Sequence, residues 1–116
     1  MIWLWVAAAT MIVVAFIHAI IGERRLIGPL LALNSGVMAV PQARQVMRFA
    51  WHMTSMLMIL CGVVVAWPGT APTLIAIIGA AWLGAGAFDA VLTRGRHVGW
   101  PFLTAAGTFA MLGSVA

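Results

Sequence analysis

Arg44, Arg48, His52 and Ser55 recur at spacings of four, four and three within Gln42–Trp67, QARQVMRFAWHMTSMLMILCGVVVAW. On a helix these positions share one face, so two cations, an imidazole and a hydroxyl form a stripe running into an apolar segment. The other ionisable side chains are few: His18, Glu23, Asp89, His97 and the arginines Arg24, Arg25, Arg94 and Arg96. Histidine offers proton exchange, because its charge changes near physiological pH. Imidazole and carboxylate together offer a site for a divalent metal, and guanidinium groups bind anions. Two histidines on separate helices also suit bis-histidine ligation of haem b, with arginines to pair its propionates.

The elements that must position these residues follow from composition. Of 116 residues, 65% are hydrophobic and 7% charged, with no lysine, and the mean hydropathy of +1.13 is outside the range of a soluble domain. An all-α, polytopic membrane protein is expected, a single domain over 1–116 with four transmembrane helices at about 1–22, 46–67, 73–92 and 98–116. From Arg48 to Trp67 a helix rises about 30 Å, the thickness of a bilayer's hydrocarbon core. Trp3, Trp5 and Trp100 fall where an interfacial aromatic belt lies. The run Ala7, Ala8, Ala9 resembles a signal cleavage site, but the apolar stretch continues past it and no basic leader precedes it, so a span is expected instead. Cys61 falls within a span and has no partner for an internal disulfide.

Between the first two spans, Leu26–Val40 is nearly all apolar yet too short to cross. With Pro29 and the Asn34, Ser35, Gly36 break, it reads as an interfacial helix or a re-entrant hairpin folded on the surface. The turn Pro68–Pro72 carries no charge, and Ala76, Ala80 and Gly84 make a small-residue series for close helix packing. All six arginines border the first and third connections, so the positive-inside rule places those loops in the cytoplasm and both termini outside. Nucleic-acid binding is not expected once the formal charge of +4 is assigned to this interface.

On this topology His18, His52 and Asp89 each lie about 6 Å inside the cytoplasmic interface, with Thr104 at a similar level. Glu23 and His97 sit just below, and Arg24, Arg25, Arg44, Arg48, Arg94 and Arg96 ring the mouth. Ionisable groups in a span are costly and normally face a partner inside the bundle. Structural roles compete with functional ones: a His52–Asp89 pair that fixes helix register, a carbonyl contact for His18, lipid-headgroup contacts for Arg44 and Arg48, and an arginine partner for Glu23. Met53, Met56, Met58 and Cys61 point around their helix and read as packing rather than as soft metal ligands.

His18 to Glu23 reads H-x3-G-E, and Trp51 to Ser55 reads W-H-x2-S. In these motifs the stretch from Ala15 to Leu57 resembles a set of small four-helix bacterial membrane proteins. The resemblance implies the fold and a multi-pass location in the bacterial inner (plasma) membrane, and implies no catalytic role.

Three functional readings follow. The first is permeation of protons, ions or small solutes through the His18, His52, Asp89 layer, with Ser55 and Thr104 as hydroxyls beside it. The second is a haem- or metal-binding membrane protein using His18 and His52, with Asp89 as a third metal ligand. The third is an accessory or assembly subunit of a larger membrane complex. The partners expected are the lipid bilayer and a second copy or another membrane subunit. No phosphate loop or paired nucleophile and base points to an enzyme, although a membrane enzyme using Glu23 and His18 stays open.

Overall fold

The computed structural model describes residues 1–116, and every regular element in it is a helix. Helix α1 spans Ile2–Gly22, passes through a π-helical turn at Glu23–Ile27 and continues as α2, Gly28–Ala32. These three pieces form one helix of 31 residues, about 46 Å long. A 3-10 turn at Gly36–Ala39 leads to α3, Pro41–Ala66; α4, Pro72–Leu92, and α5, Gly99–Val115, complete the chain. Prolines at the starts of α3 and α4 sit where a missing N–H costs nothing.

The first helix does not stop at the Glu23, Arg24, Arg25 cluster as the sequence suggested. The first part of the apolar segment after it extends the same helix to Ala32, and the connection to α3 is confined to 33–40. Pro29 explains the π turn: its ring would crowd the carbonyl four residues back, and a widened turn gives that carbonyl room. Gly28 N–H accordingly bonds to Glu23 O, five residues back. Ile27 and Leu31 are buried along the continuation. The chain reverses only at Asn34, whose φ of 49° is left-handed, and at Gly36, φ 58°.

Helix α1 lies between α3 and α5, and α4 pairs most closely with α5, while α3 and α4 barely touch. The pairings are antiparallel. Trp3 stacks on Phe109 at 5.8 Å, Gly113 approaches Leu4, Gly62 approaches Ala8 and Ile12, and Gly22 approaches Trp51. Both charged connections therefore lie at one end of the molecule. The shared core of Ala7, Met11, Val65, Ile75, Trp82, Ala106 and Ala110 closes the rest with apolar side chains.

The close packing of α4 does not use the series Ala76, Ala80, Gly84. Ala80 is exposed and Gly84 has open space where a Cβ would stand. Gly79 and Gly86, with Ile75 and Trp82, are the buried positions. Gly79 faces Gly107, and Gly86 lies against Thr104 and the Trp100 carbonyl. Steps of seven residues, two turns, keep one stripe on α5; the four-residue series drifts away from it.

Three helices are long and apolar enough to cross a membrane: Ile2–Ala32, Pro41–Ala66 and Pro72–Leu92. Helix α5 has 17 residues, about 25 Å. The outward faces carry large apolar side chains, among them Val13, Phe16, Phe49, Leu57, Ile77, Phe88 and Leu112.

Candidate functional site: an ionic and histidine cluster between α1 and α3

The stripe on α3 faces α1 and its π turn. Arg48 Nε donates to Glu23 Oε1 at 2.7 Å, and its Nη2 lies 3.5 Å from Oε2. His52 Nε2 is 3.2 Å from the same Oε1, so one carboxylate holds a guanidinium and an imidazole four residues apart on α3. One turn deeper, His18 Nδ1 and Ser55 Oγ are 2.7 Å apart, and Ser55 is buried. Trp51 joins the two levels: its ring stacks on that of His18 with centroids 4.0 Å apart, and its indole N–H donates to His18 O at 2.9 Å.

The two short motifs thus interlock across this interface. Each named position of H-x3-G-E meets one of W-H-x2-S: His18 takes Trp51 and Ser55, Gly22 leaves room for Trp51, and Glu23 takes His52. A Cβ on Gly22 would stand 2.5 Å from the indole ring, closer than any atoms pack. Trp51 and Gly22 were not singled out from residue chemistry, since neither ionises; their place in the two motifs was the available signal. Converting Trp51 to phenylalanine keeps an aromatic face for His18 and removes the indole donor. A loss of about 0.5–1.5 kcal/mol is expected, read as a lower thermal unfolding temperature in detergent.

The remaining candidates lie elsewhere. Asp89 Oδ2 is 2.6 Å from His97 Nδ1, on the α4–α5 connection, where Thr93 Oγ1 also accepts the His97 N–H. A His52–Asp89 pair does not form, because α1 and not α4 is the neighbour of α3. The layer expected from three helices divides into two clusters, Glu23–Arg48–His52 with His18–Ser55 on one wall and Asp89–His97 on the other. Thr104 Oγ1 turns back on its own helix, to Trp100 O and Pro101 O, and belongs to neither. No three His, Cys, Asp or Glu side chains gather as a metal-binding group, so the trio His18, His52, Asp89 is not assembled. Arg44 Nη1 reaches Asn34 Oδ1 at 2.6 Å and Met38 O at 2.7 Å, bracing the loop, whereas Arg24, Arg25, Arg94 and Arg96 make no side-chain ion pair.

Fold and site together define a class: a helical bundle with three helices of membrane-crossing length and apolarity, carrying charged clusters at one end. Compared with known proteins, the chain matches no family model, no curated protein and no solved structure.

Proposed function

We propose that this is an integral membrane protein of four spans, α5 being the shortest, with the charged end in the cytoplasm and both termini outside, and that its α1/α3 seam is a proton relay serving permeation. The resemblance of its motifs to small bacterial membrane proteins supports an inner-membrane location. The observation that carries the relay is the shared carboxylate: Glu23 contacts Arg48 and His52 at the charged mouth. The His18–Ser55 pair follows one helical turn, about 5 Å, deeper along α3. Histidine exchanges protons near neutral pH, and ionisable groups paired inside a span mark proton pathways.

Beyond Ser55 the seam is apolar, with Gly62 on Ile12 and Ala8 and then the shared core. One chain supplies the cytoplasmic half of a path, so the relay works with a second copy or another membrane subunit that completes the outer half. Haem ligation is the competing use of His18 and His52: His18 holds Ser55 through Nδ1, with no partner on Nε2, whereas the His52 Nε2 is engaged by Glu23. Proton flux into liposomes with an imposed potential is expected for the wild type and to fall to the protein-free level for His52→Ala. A Soret band on the purified protein that disappears in His52→Ala, or wild-type flux equal to that of protein-free liposomes, would overturn the relay.

A further inference from the structure

Beside the relay, on the outer side of the arginine stripe, a cavity of about 560 Å³ opens between the extension of the first helix and the start of α3. Gly28, Leu31 and Ala32 form one wall, and Pro41, Arg44, Gln45 and Arg48 the other. Its size is that of a small-molecule site, and its lining divides into an apolar side and a cationic side. The two guanidinium groups differ in what they have left to give. Arg48 spends Nε and Nη2 on Glu23, which balances its charge. Arg44 has no acidic partner: its Nη1 is fixed by Asn34 Oδ1 and Met38 O, which leaves Nε and Nη2 as free donors on an oriented fork. The cavity therefore carries one uncompensated positive charge and N–H donors from two arginines one helical turn apart.

We propose that this cavity binds a phosphate-bearing anion. A carboxylate presents two oxygens in one plane and saturates a single guanidinium fork. A phosphate presents three tetrahedral oxygens and serves Arg44 and Arg48 together. Leu31, Ala32 and Pro41 then receive the apolar part of the molecule that bears it. The bracing of Arg44 matters energetically, because a cation already held in place loses little side-chain freedom on binding. Phosphate chemistry of this kind comes either from an anionic lipid headgroup in the cytoplasmic leaflet or from a soluble phosphate. Arg48 is shared with the relay cluster through Glu23, whereas Arg44 takes no part in it, so a change at Arg44 tests the site apart from proton flux.

Calorimetric titration of the detergent-solubilised full chain separates these cases. The probes are inorganic phosphate, dihexanoyl phosphatidic acid and, as a net-neutral control, dihexanoyl phosphatidylcholine. Saturable binding of at least one anionic probe is expected, with the neutral lipid weaker by about tenfold or more. Equal affinity for inorganic phosphate and phosphatidic acid identifies a soluble anion as the ligand; binding of phosphatidic acid alone identifies a lipid. Arg44→Gln is expected to weaken binding about tenfold or more. Because that change also releases the loop brace, Ala32→Trp provides a second variant: it fills the cavity, keeps both arginines and is expected to block binding. Saturable binding by neither anionic probe, equal binding of the neutral lipid, or undiminished binding by Ala32→Trp overturns the proposal.

Discussion

Glu23→Ala is expected to reduce proton flux in liposomes to the level of protein-free vesicles, the same complete loss expected of His52→Ala. Glu23 is the one acceptor common to Arg48 and His52, and removing it leaves two groups on α3 facing each other with no anion between them. At the membrane interface such groups swing toward water and headgroups, which pulls the start of the relay apart. Glu23→Asp tests whether charge or reach matters. The shorter side chain keeps the anion and falls short of contacting both partners from the π turn, so partial flux is expected. If Glu23→Ala transports protons at the wild-type rate, the seam is a structural ion pair and the relay reading fails.

Gly107→Val is expected to be the most damaging change to stability. A Cβ at Gly107 would stand 2.6 Å from Leu83 N and 2.7 Å from Gly79 O. These are backbone atoms of the facing helix, so no rotamer change relieves the contact and α4 must move off α5. This is the closest helix pairing in the molecule, and Ala106 and Ala110 on either side are fully buried. The cost is expected to reach or exceed the about 1–3 kcal/mol typical of overpacking. It would appear as a lower unfolding temperature in detergent and a smaller folded fraction after extraction. Gly84→Ala supplies the contrast. It meets nothing within 4 Å, lies inside a helix, and should stabilise by about 0.5–1 kcal/mol through helix propensity. If both variants unfold alike, helix propensity rather than close approach governs α4.

Residue spacing made the stripe Arg44, Arg48, His52, Ser55 legible, because a helix turns a four-four-three series into a face whatever surrounds it. What faces the stripe was not legible. Depth along a span follows from counting residues, but the order of helices around a bundle does not, so Asp89 was as reasonable a partner for His52 as Glu23. The same ignorance of neighbours misplaced the small-residue stripe of α4, where Gly79 and Gly86 take the role expected of Ala76, Ala80 and Gly84. The continuation of the first helix was hidden for another reason. Consecutive charges followed by Gly28 and Pro29 ordinarily mark a helix end, and a π turn that absorbs the proline leaves no compositional trace.

That continuation bears on how the protein meets its bilayer. A helix of 31 residues, about 46 Å long, exceeds a hydrocarbon core of about 30 Å by half, whereas α5 at 17 residues falls short. On the proposed four-span reading the bundle pairs an overlong first helix with a short α5, and hydrophobic mismatch acts on the two in opposite senses. A thicker membrane accommodates more of the first helix and strains α5; a thinner one favours tilt of the first helix. Because Glu23 occupies the π turn about two-thirds of the way along, changes in tilt set how deeply its carboxylate sits. On that reading, membrane thickness is a variable to which the polar seam responds, with the first helix as its gauge.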